Sequence, residues 1–268
     1  MSARSVLPAM ATATATLTAV AVLAGCTSTK PSASGGGELE LVKSGKLTTC
    51  THLPYEPFQV RKGDAVVGFD VDLVDLVAKK LDVTQEIVDT PFEGIQSGED
   101  LNARKCDLAA AGMTITPVRA KNLDFSAGYF DATQAMIAKK GSSFTSLASL
   151  EGKKLGVQQG TTGETYAQKN AKGVTTVQFE DLALLLTAVK TGQVDAAVND
   201  NGVLFEYVRK NPDTQVTAEF DTGEEYGIGV RTGNDALRKE IDAVIASAKS
   251  DGSYDRIYKK WFPAAPKK

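Results

Sequence analysis

The chain has 268 residues, and its 30 Lys and Arg against 33 Asp and Glu give a formal net charge of −3 at pH 7. This balance, with no basic stripe along the chain, excludes a nucleic-acid partner. The single histidine, His52, excludes zinc sites that are built on two histidines.

The first 26 residues form a predicted export signal. Residues 11–24 are almost all Ala, Thr, Val and Leu, and the stretch closes on Leu23-Ala24-Gly25-Cys26. This ending resembles a bacterial lipoprotein signal, in which the peptide is cut before the cysteine and that cysteine carries a lipid. We therefore expect a lipid at Cys26, a flexible tether over residues 27–37, and a location outside the cytoplasm on the cell membrane. A plain secretory signal and an N-terminal membrane anchor are the alternatives.

From Lys46 onward the hydrophobic pattern alternates between strands and helices. The predicted strands are 46–52, 83–89, 107–113, 154–158, 194–199 and 227–230. The predicted helices are 70–81, 165–171, 181–190 and 236–249, followed by a short one that ends at Trp261-Phe262. This alternation indicates an α/β fold with parallel sheets that are covered by helices.

Residues 111–119 contain the parts of a carboxylate-binding segment. Thr116 is predicted to cap a helix, with Pro117 and Arg119 in its first turn. Backbone N–H groups at a helix start attract anions, and an arginine can hold a carboxylate with two parallel hydrogen bonds. The segment therefore predicts an anion site.

Five strand ends carry aromatic, hydroxyl or charged residues, and ligands of parallel sheets bind at the carboxyl ends of strands. These residues are, in chain order, Tyr55, Phe58, Phe92, Thr114, Arg119, Thr161, Thr162 and Asp200, with Gly112 beside them after the third strand. We expect one cleft in which Arg119 pairs with a carboxylate and Asp200 with a cation. A carboxylate and an ammonium on one small molecule describe an α-amino acid.

Enzymatic and cofactor motifs are missing from the sequence. There is no Walker loop and no dinucleotide-binding Gly-x-Gly-x-x-Gly. A Ser–His–Asp triad would have to use His52, and no Gly-x-Ser-x-Gly elbow is present. We therefore expect a binding protein with no cofactor and no metal site, rather than an enzyme.

Cys50 lies on the first predicted strand and Cys106 just before the third. Two cysteines outside the cytoplasm can be bridged. Strand stagger could instead separate their Cα atoms beyond the ~7 Å that a disulfide tolerates. A disulfide and two buried free thiols are therefore both open.

The chain resembles the bacterial extracellular solute-binding proteins of family 3, the lipoproteins that serve ABC importers of polar amino acids such as glutamine, histidine, or lysine, arginine and ornithine. The resemblance runs from about residue 46 to residue 263, in the family's order. It is carried by Tyr55-Glu56-Pro57-Phe58, Gly68–Leu73, Phe92–Ile95, Gly112–Thr116, Arg119, Asp124–Ser126, Gly160–Thr162, Asp195–Ala197 with Asp200, and Lys260–Phe262.

The resemblance implies a two-lobed periplasmic-binding-protein fold of type II, with parallel-rich sheets flanked by helices and two crossover hinge strands. One lobe would hold residues 38–132 with 226–268, and the other residues 133–225. The implied partners are a polar amino acid, a membrane permease and its ATPase, with the binding protein itself a monomer.

The resemblance also assigns roles to single residues. Arg119 would hold the ligand α-carboxylate and Asp200 its α-ammonium. Tyr55 and Phe92 would sandwich the ligand side chain. Asp70 would cap the first long helix. Further contacts to the two charged groups would come from Gly112, Thr114 and Thr162.

The ligand side chain stays open at this stage. His52 stands where several relatives have an aspartate, and Gln158 stands at a position that varies among them. Glu56 and Glu93 lie near the aromatic residues in sequence. Neutral polar, acidic and basic side chains are therefore all compatible, with His52, Glu93 and Gln158 as candidate contacts.

Two other functions are compatible with the same fold. One is a dehydratase for arogenate or a cyclohexadienyl acid, which would need Glu93 or Glu56 as a general acid. The other is a sensory module that passes the ligand signal to a partner.

Overall fold

The computed structural model describes residues 39–263. The predicted signal peptide, the lipidation residue Cys26 and the tether lie outside the described residues. Within residues 39–263 no helix has both the length and the apolar character needed to span a bilayer.

The described chain alternates between strands and helices, as the hydrophobic pattern predicts. The strands are β1 (Lys46–Thr51), β2 (Val60–Lys62), β3 (Ala65–Val67), β4 (Thr84–Asp89), β5 (Leu108–Ala109), β6 (Leu123–Phe125), β7 (Phe130–Lys139), β8 (Lys154–Gln158), β9 (Thr175–Phe179), β10 (Ala196–Asp200), β11 (Thr214–Tyr226) and β12 (Gly229–Arg231). The α-helices are α1 (Phe69–Lys80), α2 (Phe92–Gln96), α3 (Glu99–Asn102), α4 (Thr162–Asn170), α5 (Leu182–Thr191), α6 (Asn201–Lys210), α7 (Asp235–Asp251) and α8 (Ser253–Trp261). Short 3-10 helices cover Arg119–Lys121 and Leu147–Leu150.

Two five-stranded sheets organise these elements. The first has the order β4-β1-β5-β12-β6, and the second has the order β11-β7-β10-β8-β9. Pairing is parallel in β4-β1-β5 and in β10-β8-β9, and antiparallel wherever β12, β7 or β11 takes part. The α/β prediction is confirmed, and both sheets are mixed.

The strands β7 and β11 form a long antiparallel pair that carries the chain into and out of the second sheet. Their register runs from Lys139 opposite Thr214 to Phe130 opposite Tyr226. Phe58 packs edge-on against both Phe130 and Tyr226, with ring centroids 4.9 and 5.1 Å apart. This aromatic cluster is buried, so it holds the ends of the two connecting strands against the segment that follows β1.

Helix α5 illustrates how local sequence sets the boundaries of an element. Asp181 accepts a hydrogen bond from the backbone N–H of Leu184 and caps the helix, which ends at Gly192 in the left-handed conformation. The apolar face carries Leu182, Leu185, Leu186, Ala188 and Val189 into the core. The predicted helix over residues 181–190 therefore agrees with the structure.

A disulfide joins Cys50 of β1 to Cys106, which lies just before β5. Their Cα atoms are 5.7 Å apart. Of the two arrangements that the sequence leaves open, the structure therefore contains the bridged one. The bridge ties together the two strands that lead to Tyr55 and to Gly112.

The segment between β5 and Arg119 differs from its prediction. Strand β5 covers only Leu108–Ala109, because Gly112 takes a left-handed φ of 55° that a strand cannot continue. The helix expected to start at Pro117 is a single 3-10 turn over Arg119–Lys121, since the chain must become extended again at Leu123 to pair with β12. The expected helix is therefore wrong, and a single turn has no appreciable macrodipole to attract an anion, whereas the anion site expected at Arg119 itself stays a prediction.

The expected role of Asp70 is also wrong. The N-cap residue of α1 is Gly68, and no side chain caps that end. The buried carboxylate of Asp70 instead accepts hydrogen bonds from the backbone N–H of Gly112 and from the Tyr129 hydroxyl, each at 2.8 Å. Asp70 thereby fixes the turn at Gly112 to the segment that leads into β7.

We expect Asp70 to make stability depend on pH. Burial raises the pKa of Asp70 to about 7. Between the ordinary aspartate pKa and this value the folded state binds more protons than the unfolded state. The free energy of unfolding should therefore fall as pH rises through this window, by at most about 1.4 kcal/mol per pH unit. Chemical denaturation across the window should show this slope in the wild type and a weaker one in Asp70→Asn.

Asp75→Asn is the matched control, because Asp75 lies on the exposed side of the same helix. It should keep the wild-type slope. Identical pH profiles for Asp70→Asn and the wild type would contradict the assignment.

Candidate functional site

One cavity gathers the strand ends that the sequence singles out. It is lined by residues that follow β1, β4 and β5 and by residues that follow or end β8 and β10. The lining residues are His52, Tyr55, Gln59, Phe92, Ala111, Gly112, Thr114, Arg119, Gln158, Thr161, Thr162 and Asp200. Every predicted site residue is therefore present in the lining except Phe58, which packs in the aromatic cluster, and Glu93. Glu93 is exposed, and its carboxylate accepts a hydrogen bond from Gln96.

Arg119 is the cation of the cavity. Its side chain is only 4% exposed, and its Nη1 donates to the carbonyl of Thr114 at 2.8 Å. Its Nη2 donates to the carbonyl of Gly160 at 3.0 Å, and its guanidinium lies 5.3 Å from the centre of the Phe92 ring. Burial lowers the pKa of Arg119, and the nearby charges of Asp200 and Glu224 oppose that change. The group therefore remains a cation.

Asp200 is the principal carboxylate of the cavity, and it ends β10. It accepts hydrogen bonds from the hydroxyls of Tyr55 and Tyr226 and from the amide of Gln134. Burial, followed by the Glu224 charge, raises the pKa of Asp200 to about 6, and the three hydrogen bonds counteract this effect. At neutral pH the group is therefore a buried anion with several donors around it.

Tyr55 has a polar function as well as the predicted aromatic one. Its hydroxyl oxygen lies 2.8 Å from both Asn199 Oδ1 and Asp200 Oδ2, and its single hydrogen is shared between these two acceptors. Burial and the Asp200 charge raise the pKa of both Tyr55 and Tyr226. Both phenols therefore keep the protons that they donate.

The loop before α4 brings hydroxyl groups to the opposite wall. Thr161 caps this helix by accepting from the backbone N–H of Glu164, and Thr162 is the first helical residue. The predicted helix at residue 165 therefore begins three residues earlier than expected, because its cap, Thr161, lies four residues ahead of the apolar pattern. This start brings both threonines to the cavity wall.

Glu224 is a functional candidate that sequence reasoning missed. Its carboxylate accepts hydrogen bonds from Thr114 Oγ1 at 2.8 Å and from Thr162 Oγ1 at 2.7 Å. Gln134 Nε2 lies within 3.3 Å of both of its oxygens and also donates to Asp200. Glu224 therefore adds a second negative charge behind the cavity wall.

A period-two signal could have revealed Glu224. Glu224 and Tyr226 lie two residues apart, so on one strand they share a face. Both reach the group of hydrogen bonds around Asp200. The sequence pattern predicted a strand only from Gly227, whereas β11 ends at Tyr226, and so both residues were overlooked.

The arrangement can bind a small zwitterion. Arg119 supplies one positive charge. Asp200 and Glu224 supply negative charge on the other side of the Thr114 and Thr162 hydroxyl groups. A ligand that carries both a negative and a positive group would find a partner of opposite charge for each of them. Neither ligand charge would then be buried unpaired when it leaves water.

Comparison with known proteins places the chain in one family. Residues 47–264 match the profile of the bacterial extracellular solute-binding proteins, family 3. The ABC transporter glutamine-binding protein of Bacillus subtilis (strain 168) is 38% identical over 205 residues, which cover 75% of this chain and 74% of that protein.

Solved structures with this fold include an ancestral arginine-binding protein, bound to arginine in one structure and to glutamine in another. The two have TM-scores of 0.77 and 0.78 and identities of 43% and 42%, and they cover 81% and 82% of this chain and 98% and 99% of theirs. An ancestral amino acid-binding protein, described as a precursor of cyclohexadienyl dehydratase, has a TM-score of 0.75 at 33% identity and covers 81% of this chain and 95% of its own. The chain belongs to the bacterial extracellular solute-binding proteins of family 3.

Proposed function

We propose that this chain is the extracytoplasmic binding component of an ABC importer and captures a polar α-amino acid. The observation that carries the proposal is the presence of buried Arg119 and buried Asp200 in the lining of one cavity. The glutamine- and arginine-binding relatives support the same class of ligand.

In the proposed mode the ligand carboxylate pairs with the Arg119 guanidinium. The ligand ammonium pairs with Asp200, next to the Glu224 charge. Thr114 and Thr162 supply hydroxyl groups between the two ends, and Gly112 lets the backbone approach closely. A Cβ atom at residue 112 would lie only 2.8 Å from the Tyr55 ring. The aromatic faces of Tyr55 and Phe92 enclose the ligand side chain.

Capture would depend on closure of two lobes. We assign residues 38–132 and 226–268 to one lobe and residues 133–225 to the other, with Arg119 in the first and Asp200 in the second. Only the closed form then contacts both charged ends of the ligand. Binding therefore favours that form, which is the difference in affinity that a population shift requires.

We further propose that the protein acts as a lipid-anchored monomer. The lipid on Cys26 would hold it at the outer face of the cell membrane. A permease and its ATPase would recognise the closed, loaded form and accept the amino acid from it.

Arg119→Ala is expected to weaken binding of the best amino acid by ~30- to 5,000-fold, or ~2–5 kcal/mol. The reason is that the ligand carboxylate would be buried without its partner. Isothermal titration calorimetry measures the change. Arg61→Ala removes an exposed arginine and is the matched control, for which we expect no change. Equal affinities for Arg119→Ala and the wild type would refute the carboxylate contact.

Affinity is also expected to fall at low pH, because a protonated Asp200 cannot pair with an ammonium. Its pKa of about 6 predicts a dissociation constant that is flat above neutral pH and rises roughly tenfold per pH unit below that pKa. In Glu224→Gln the neighbouring charge is absent, so the pKa of Asp200 should fall and the loss should begin at lower pH.

Calorimetric titrations of the wild type and Glu224→Gln over the same pH range test this coupling. The two proteins share every other titratable group, so the difference between their profiles reports the loss of the Glu224 charge. Superimposable profiles would show that Glu224 does not act on Asp200.

The dehydratase alternative is less well supported by the positions of its general acids. Glu56 forms an ion pair with Lys210, and neither Glu56 nor Glu93 lines the cavity. We therefore expect no aromatic product when the protein is incubated with arogenate or prephenate and the ultraviolet spectrum is followed. Formation of phenylalanine or phenylpyruvate that disappears in Arg119→Ala would establish the enzyme instead.

A further inference from the structure

Two residues of the cavity lining carry a buried hydrogen-bonding atom that has no partner among the described residues. They are His52, through its Nε2 atom, and Gln59, through its Oε1 atom. Neither atom belongs to the charged contacts around Arg119 and Asp200. A buried polar atom without a partner is costly, and because both residues line the cavity, a ligand group there can supply the missing partner.

The hydrogen-bonding role of His52 follows from its other ring nitrogen. Nδ1 lies 2.9 Å from the carbonyl oxygen of Thr90. A carbonyl can only accept, so Nδ1 carries the hydrogen. In the neutral imidazole Nε2 is then an acceptor. Thr90 does not line the cavity, whereas His52 does, so the hydrogen bond of Nδ1 to Thr90 leaves Nε2 available to a group in the cavity.

The orientation of the Gln59 amide follows in the same way. Its Nε2 donates to the carbonyl of His52 at 3.3 Å. The amide oxygen is therefore the free end, and the side chain is only 1% exposed. His52 and Gln59, which this hydrogen bond joins, thus each bring one acceptor to the cavity lining.

Two buried acceptors select against another acceptor. A ligand side chain that ends in a carboxylate would bring lone pairs and a negative charge against them, in a cavity that already contains the Asp200 and Glu224 carboxylates. A side chain that ends in N–H groups would satisfy both acceptors.

Resting on the proposed function, we infer that the cavity selects an amino acid whose side chain ends in N–H donors, a carboxamide, ureido or guanidinium group, and rejects acidic side chains. His52 Nε2 and Gln59 Oε1 are the selecting atoms.

Calorimetry with glutamine and glutamate tests this inference, because the two ligands have nearly the same shape and differ in NH₂ against O⁻. We expect at least one ligand with N–H donors to bind about 100-fold more tightly than glutamate. The ligands to be compared are glutamine and the longer amino acids arginine and citrulline. Arginine and citrulline distinguish a cationic from a neutral donor group, and tight binding of either supports the inference.

The outcomes separate this inference from the proposed function. Glutamate binding as tightly as the donor-bearing ligands would overturn the inference and leave amino acid binding intact. Absence of binding by every amino acid, in a protein whose thermal unfolding is cooperative, would overturn both.

Gln59→Leu tests the selecting atom itself. We expect ~5- to 150-fold weaker binding of the preferred donor-bearing ligand. Methionine, an apolar ligand of similar length, should bind as in the wild type or more tightly. An equal loss for both ligands would contradict the inference, because it would indicate general damage to the site.

Gln85→Leu is the matched control. Gln85 also has a buried, unpartnered Oε1 and an Nε2 that donates to a backbone carbonyl, that of Val71, but it does not line this cavity. Its substitution should leave the preference for donor-bearing ligands unchanged. A loss of preference in Gln85→Leu equal to that in Gln59→Leu would overturn the assignment to Gln59.

Discussion

The structure around the cavity depends on one constraint, which is that two buried charges of opposite sign are held in one cavity without pairing with each other. Arg119 and Asp200 are both almost fully buried, yet they do not form an ion pair with each other. The guanidinium donates to the carbonyls of Thr114 and Gly160. The carboxylate accepts from two phenols and an amide. Each charge therefore has polar neighbours that lower the cost of its burial, and in the proposed function a ligand provides the opposite charge.

The scaffold keeps this separation through contacts that lie behind the cavity. Asp70 holds the turn at Gly112 to Tyr129, immediately before β7. Tyr226, the last residue of β11, bonds Asp200 and packs on Phe58. The two strands that connect the sheets are therefore in direct contact with the binding residues. Any change in the position of these strands would alter the distance between the two charged ends of the site.

The strongest sequence predictions were those that rest on short-range patterns. The helix α5, with its Asp181 cap and Gly192 stop, and the strand β8 lie where the pattern placed them. Predictions failed where a distant contact decided the local conformation. Asp70 was expected to cap α1, but its side chain turns to Gly112 and Tyr129. The helix expected at Pro117 is cut to one turn because Leu123 must join the first sheet. Glu224 was missed because the predicted strand began only at Gly227, and its partners, Thr114 and Thr162, are far from it in the chain.

The sequence by itself determined the α/β class, the order of most elements, the family and the set of strand-end residues, because these depend on periodicity and on motifs within a few residues. Only the tertiary structure decided the hydrogen-bonding state of each group. The tautomer of His52 depends on the carbonyl of Thr90, and the orientation of Gln59 depends on the carbonyl of His52. The ionisation of Asp200 depends on Glu224 and on burial. These properties arise from contacts between segments that are separate in the chain, and a hydrogen bond or a desolvation cost exists only once the fold has brought them together.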